Sequence, residues 1–560
     1  MSPAPFDLSR LPRRRLLQAG AGLLAASAWP WSRANAVTLG TDTPAVQPAT
    51  ASAPAVPPSP ALTSESALAL TRSGRIAGWR EGPLSLFRGI PYGADTSTRR
   101  FQHALPEPAW TGVRDARAFG ASAPQLGDAD QQAISEDCLR LNVCTPGLRD
   151  GVRRPILVYV HGGGYATGSG SSPLYDGRAL SLRGDVVVIT LNHRLNAFGY
   201  LHLRDLGDER FADSGNVGQW DLIQALQWVQ QHAAEFGGDA GNVTLFGQSG
   251  GGAKIATLMA MPAASGLFHR AMTMSGQQVT AAGPRAATRR AQLLLEHLRT
   301  TPAQLLELPM TQLLEATRLP DPSWVEDTRL YFGPVMDSDS LPQHPFHPEA
   351  PTQSARIPMI IGNTRDETRE FLGKDAGNFQ LDWAQLPDKL RAQQYVDLDP
   401  HTVIAEYRRL YPQYTPSEVF FAATTAGRSW RGAVLEAEAR ARQGAPTWVY
   451  QLDWRSRAEP QRRAFHTLDI PLVFATTGVA GARSGDDADA HRMATRLGDA
   501  LLALARNGDP NHADLPTWSP YSLAQRETMR LDDVCALEND PRGGERLLYE
   551  RVPFIQRGTF

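Results

Sequence analysis

The sequence predicts an α/β protein built on a large, mostly parallel, doubly wound sheet with helices on both faces. Two observations carry this expectation. Pro155-Ile156-Leu157-Val158-Tyr159-Val160, Asp185-Val186-Val187-Val188-Ile189-Thr190-Leu191 and Asn242-Val243-Thr244-Leu245-Phe246 are continuous β-rich runs. Runs without polar alternation fit strands covered on both faces, the usual case in parallel sheets. Between the second and third runs, Leu222, Ala225, Leu226 and Val229 recur at helical spacing within Trp220 to Phe236. A helix there makes a β-α-β crossover leading into the third strand. In such a sheet the active site lies at the carboxyl ends of the strands.

The bulk numbers bound the function class. The net charge is −2 with 20% charged residues, and no arginine run occurs outside the N-terminus, so a nucleic-acid partner is not expected. Three cysteines, Cys138, Cys144 and Cys535, are too few for a disulfide scaffold. Cys138 and Cys144 fall six residues apart in an expected strand. That spans roughly 20 Å, so the two cannot pair. All three are expected to be small, buried and unpaired. No His or Cys cluster has zinc spacing, and no metal or organic cofactor is expected.

The N-terminus reads as an address. Arg13-Arg14-Arg15-Leu16-Leu17 is followed by a weakly apolar stretch from Ala19 to Trp29 and then by the small-x-small site Ala34-Asn35-Ala36. This is the layout of a signal peptide, with the arginine pair pointing to the twin-arginine type. Residues 37–65 are rich in Pro, Ala, Thr and Ser and read as a flexible spacer. From 66 to 560 no second low-complexity linker occurs, so one large catalytic domain is expected. The signal implies export, to the periplasm or beyond, and no later segment reaches 18 uninterrupted apolar residues, so no membrane insertion of the mature protein is expected.

The chemistry begins right after the third strand, at Gly247-Gln248-Ser249-Gly250-Gly251. A Gly-x-Ser-x-Gly match alone is weak evidence. Between a strand and an expected helix over 252–261, it fits a tight turn that exposes Ser249 as a nucleophile. Backbone N–H groups at that helix start face developing negative charge. His161-Gly162-Gly163-Gly164-Tyr165 follows the first buried strand. Adjacent glycines there let backbone amides face a ligand, so Gly163, Gly164 and Gly250 are the candidate oxyanion donors.

Further along the chain, ordered segments resemble one family. They include Phe87-Arg88-Gly89-Ile90-Pro91-Tyr92, Ser135-Glu136-Asp137-Cys138-Leu139-Arg140-Leu141-Asn142-Val143, Asn192-His193-Arg194-Leu195, Gly215-Asn216-Val217-Gly218 and Phe236-Gly237-Gly238-Asp239. The chain resembles the type-B carboxylesterases, the family of cholinesterases and bacterial para-nitrobenzyl esterases, from about Gly74 to Met529. The resemblance implies the α/β-hydrolase fold and a Ser-Glu-His triad. It places the acid at Glu367, in Asp366-Glu367-Thr368 after an expected strand over 358–362, with Asp366 as the local competitor. It places the base at His466, before Leu468-Asp469-Ile470-Pro471-Leu472-Val473-Phe474. Among 13 histidines the residues alone would single it out only weakly.

The sequence also departs from the family pattern. Gln248 stands where the family usually has Glu, Gly250 where it has Ala, Thr368 where it has Gly, and Arg140 where it has an aromatic residue. Ala123-Pro124-Gln125 replaces the segment whose cysteine would pair with Cys138, so the early disulfide is absent. Trp324, Tyr331, Phe332, Phe371, Phe420, Phe421 and Trp430 are candidates for a gorge lining, although most are expected to be core or rim packing. The expected function is carboxylic-ester hydrolysis of a small-molecule substrate through an acyl-enzyme. Two alternatives stay open: a specialised hydrolase of a lactone, carbamate, amide or toxin ester on the same site, and a non-catalytic binding protein of the same fold.

Overall fold

A computed structural model describes residues 65–127, 133–323 and 329–556. The expected signal peptide and nearly all of the spacer lie outside the described residues. The strands are β1 (Ser66–Leu70), β2 (Arg75–Glu81), β3 (Leu84–Pro91), β4 (Val113–Asp115), β5 (Arg140–Thr145), β6 (Arg154–Val160), β7 (Val187–Leu191), β8 (Gly238–Gln248), β9 (Arg270–Met274), β10 (Met359–Thr364), β11 (Thr447–Leu452), β12 (Glu527–Leu531) and β13 (Ala536–Asn539). Among the described residues they form one sheet in the order β1-β2-β3-β5-β7-β6-β8-β9-β10-β11-β12-β13, with β4 beside β2. From β7 to β12 the strands run parallel. Both margins are antiparallel, which the apolar runs did not predict.

Side-chain alternation along the central strands explains the two layers of helices. Ile156, Val158 and Val160 of β6 point to one face, where they join Leu222, Leu226 and Val229 of the helix Val217–His232 and Ile255 and Leu258 of the helix Gly250–Ala260. Leu157 and Tyr159 point to the other face, against Met493, Leu497 and Leu501 of the helix Ala488–Asn507. Successive strand residues alternate sides, so a strand apolar at every position must be covered twice. The crossover helix starts earlier than its apolar spacing suggested, at Val217, and ends at His232 before a 3-10 turn, Ala233–Phe236. The strand it feeds is longer than the apolar run, because β8 reaches Gln248.

Cys138 sits just ahead of β5 rather than in it, and Cys144 lies within the strand. All three thiols are free. Cys138 and Cys144 are buried, but Cys535 is half-exposed, contrary to expectation, on the connection into the margin strand β13. No helix among the described residues is long and apolar enough to cross a membrane.

Candidate active site

The carboxyl end of β8 runs straight into the turn that carries Ser249. Its backbone stands at φ 56°, ψ −129°. That conformation costs a non-glycine residue on the order of 1–3 kcal/mol and persists only where the surroundings enforce it. The Ser249 amide donates to the Met274 carbonyl at 2.8 Å. A Cβ on Gly251 would lie 2.0 Å from the Val160 carbonyl oxygen, and one on Gly247 2.7 Å from the Gly251 carbonyl carbon. The end of β6 presses on the turn, so both flanking positions must be glycine. Ser275 (φ 50°) and Thr467 (φ 80°) are also left-handed, which concentrates backbone strain around this one site.

The loop after β6 brings Gly164 (φ 61°) into the wall of the cavity that Ser249 lines, whereas Gly163 (φ 83°) lines the neighbouring cavity. Among the described residues, the amides of Gly163, Gly164 and Gly250 donate to no protein acceptor. The Gly163 carbonyl accepts from the Ala166 and Thr167 amides, which closes the loop into a turn. Gln125 reinforces the loop from outside by accepting from the Gly168 amide at 2.7 Å.

Glu367 and His466 arrive from distant parts of the chain. Glu367 follows β10 and is fully buried. Its Oε1 accepts from the Thr364 amide at 2.9 Å and from Asn363 Nδ2 at 3.2 Å, while Oε2 accepts from His466 Nδ1. The competitor Asp366 instead pairs with Arg369 at 3.1 Å. Burial opposes the Glu367 charge, but the His466 charge and hydrogen bond outweigh it and hold the carboxyl below its ordinary range. Burial likewise opposes the imidazolium, yet Glu367 prevails and holds His466 above its ordinary 6.5.

The departures from the family pattern have visible consequences. Thr368 hydrogen-bonds through its hydroxyl to the Phe421 carbonyl at 3.0 Å and to the hydroxyls of Thr424 and Thr425 at 2.8 and 3.0 Å. It thereby ties the acid's loop to the helix Pro416–Thr425. Gln248 Nε2 lies 3.1 Å from His466 Nε2. With Nδ1 donating to Glu367, Nε2 is the ring's acceptor, so the Gln248 amide donates to it. The ring is therefore held by Gln248 rather than by the Ser249 hydroxyl, and resting enzymes often show such slack. With His466 as general base, active only when Nε2 is unprotonated, Gln248→Glu, which sets a negative charge there, is expected to shift the acid limb of kcat/KM upward by about one pH unit. A pH–rate profile of the two proteins checks this.

Ser249, Gly164, Gly250, Glu367 and His466 all line one cavity of about 250 Å³. A second cavity of about 530 Å³, lined by Gly163, adjoins it and shares Gly164, Tyr165 and Tyr331 as walls. Of the gorge candidates, Tyr331 and Phe371 line the first cavity, and Tyr331 and Phe332 line the second. The Phe371 ring lies against His466, with centroids 4.7 Å apart. Phe420 and Phe421 are core residues, and Trp430 packs against the same cluster. Trp324 lies outside the described residues. Sequence reasoning missed Tyr395, Gln278, Ile555 and Gln556 in the wall, because nothing local marks them. It also missed Asp469, buried near Glu367 and His466, whose carboxyl burial pushes up to about 7 and whose Oδ2 accepts from the Tyr450 hydroxyl at 3.0 Å.

The chain is similar to known proteins over nearly all its described length. The family described as the carboxylesterase family matches residues 65–543. A para-nitrobenzyl esterase of Bacillus subtilis (strain 168) is 34% identical over 497 residues, 85% of this chain and 97% of that protein. A phenmedipham hydrolase of Pseudarthrobacter oxydans is 34% identical over 511 residues, 85% of this chain and 96% of that one. The crystal structure of a Geobacillus stearothermophilus carboxylesterase superposes with a TM-score of 0.75 at 34% identity, covering 86% of this chain and 99% of that one.

Proposed function

Because the chain belongs to the carboxylesterase family and is a serine carboxylic-ester hydrolase, we propose that Ser249 is its nucleophile, His466 its general base and Glu367 the acid that orients the base. The supporting observation is the convergence of a strained, cavity-facing serine with a buried Glu367–His466 pair on one cavity. In this reading the Ser249 hydroxyl replaces the Gln248 amide at Nε2 when substrate enters. Ser249 Oγ bonds to the ester carbonyl carbon as its proton passes to His466 Nε2, and the carbonyl π pair moves onto oxygen. The amides of Gly163, Gly164 and Gly250 receive that oxyanion. Collapse breaks the bond to the alcohol oxygen, which takes the proton from His466. Water, deprotonated by the same nitrogen, then releases the acid and restores the serine.

A fluorophosphonate adduct tests the reading directly. Mass analysis is expected to place it on the peptide containing Ser249, and labelling of any other serine with loss of activity would defeat the assignment. Para-nitrophenyl acetate, butyrate and octanoate then size the acyl side. A lactone and an aryl carbamate beside them separate a general esterase from a specialised hydrolase, which uses the same residues. The Arg13-Arg14 pair and the Ala34-Asn35-Ala36 site support export by a twin-arginine route. N-terminal sequencing of the mature protein from a host with that route is expected to begin at Val37. A cytoplasmic product starting at the initiator methionine would count against export.

A further inference from the structure

The helix Gly250–Ala260 is buried along its whole length, yet one of its residues is a lysine. Lys254 has no exposed surface. Its Nζ donates to the Gly164 carbonyl at 2.8 Å and to the His161 carbonyl at 3.2 Å, and stands 5.4 Å from the Tyr165 ring centroid. No carboxylate pairs with it among the described residues, and burial lowers its pKa to about 7. A lone amine in such surroundings is costly, and a methionine would fill the same volume. The fold alone gives no reason to keep it.

Its two acceptors do. The His161 and Gly164 carbonyls belong to the peptide units on either side of the two that carry the Gly163 and Gly164 N–H groups. One side chain thus grips both ends of the donor pair. The carbonyls between are also tied, Gly162 O to His161 Nδ1 at 2.9 Å and Gly163 O to the Ala166 and Thr167 amides. With all four carbonyls engaged, the Gly163 and Gly164 N–H groups are left without a protein acceptor, Gly164 in the wall of the Ser249 cavity and Gly163 in the wall of the cavity beside it. Gly250 completes the arrangement. It lies one helical turn before Lys254, and a Cβ there would stand 2.1 Å from the Gly164 oxygen that Lys254 holds.

We propose that Lys254 is a positioning residue of the oxyanion hole: its Nζ clamps the carbonyls of His161 and Gly164 and so aims the Gly163 and Gly164 amides at the tetrahedral oxygen, while glycine at 250 makes room for the clamped carbonyl. The proposal rests on the oxyanion reading given above. The neutral amine keeps two N–H groups, enough for both carbonyls, so the clamp does not depend on charge.

Lys254→Met, Lys254→Gln and Gly250→Ala test it with para-nitrophenyl butyrate as substrate and a trifluoromethyl ketone as inhibitor. The ketone adds to Ser249 and forms an oxyanion that the hole must bind. Lys254→Met and Gly250→Ala are expected to lower kcat by about 10- to 100-fold and to weaken the ketone by a similar factor, with KM moving less than about threefold. Lys254→Gln, which keeps an NH₂ donor on a shorter side chain, is expected to lose less. Circular dichroism and thermal melts establish that the variants are folded. Folded variants with kcat and ketone affinity within about threefold of the parent would overturn the proposal, as would a loss confined to KM. Failure of all three to fold would also overturn it, leaving Lys254 a scaffold residue. An unmutated protein that turns over no ester would defeat the oxyanion reading itself, before any variant is compared.

Discussion

Ser249→Ala is expected to lower kcat on para-nitrophenyl esters by about a million-fold, to the level that binding and the oxyanion amides alone support. The prediction follows from how narrowly the site provides for a nucleophile. Ser275 and Thr368 also line the cavity, but Thr368 spends its hydroxyl on Phe421, Thr424 and Thr425. The Ser275 hydroxyl is buried beside the acid rather than placed on the turn after β8. Ser275 does follow a strand, β9, but no helix start stands behind it as one does behind Ser249, and the Ser429 hydroxyl, also in the wall, accepts from Gln277 Nε2 and Asn363 Nδ2. The alanine methyl fits the same strained turn, so the variant is expected to fold and to bind substrate with little change in KM. A variant retaining more than about a thousandth of the parent rate would move the nucleophile elsewhere.

The second large effect is on the acid. Glu367→Gln is expected to cost about 10⁴ in kcat, the scale found when a triad carboxylate becomes an amide in a serine protease. The reason lies in what surrounds the carboxylate. Oε1 already accepts from the Thr364 amide and Asn363 Nδ2, so a glutamine must keep its oxygen there. Its NH₂ then faces His466 Nδ1 and donates to it. That forces the proton onto Nε2, the nitrogen that must receive the serine's proton. Removing the negative charge also removes what holds the imidazole pKa above its ordinary value, so the acid limb of the residual activity is expected to move to lower pH. Rates between pH 5 and 9 separate the two effects, since the tautomer penalty persists on the plateau. An unchanged limb would show that Glu367 does not face the ring.

How much of this was legible in the sequence depended on distance along the chain. The β6, β7 and β8 core and the Ser249 turn could be read locally, because unbroken apolar runs and glycines pressed between strands leave short-range marks. Glu367 and His466 left no such mark. They meet Ser249 only because β10 and the segment after β11 reach the same edge of the sheet, and only the family pattern tied them to it. Arg140 shows a partial success. The departure was visible, and the structure pairs it with Asp137 and Glu107 at the start of β5. Lys254 shows the opposite case. A charged residue in an apolar helix was a usable signal, but periodicity could not tell whether that face met solvent or the oxyanion loop. The antiparallel margins were missed because polar residues and glycine interrupt the apolar runs of the buried strands β3 and β5, while β1 and β13 are short and partly exposed.

The three free thiols bear on where this chain can be made. No covalent crosslink has to form or reshuffle for the native structure to be reached, so folding asks nothing of the redox state around it. For reaching the fold, reducing and oxidising surroundings are equivalent. Reductant added during purification leaves the framework untouched, and the half-exposed Cys535 is the one thiol through which an oxidising medium could act on the finished protein.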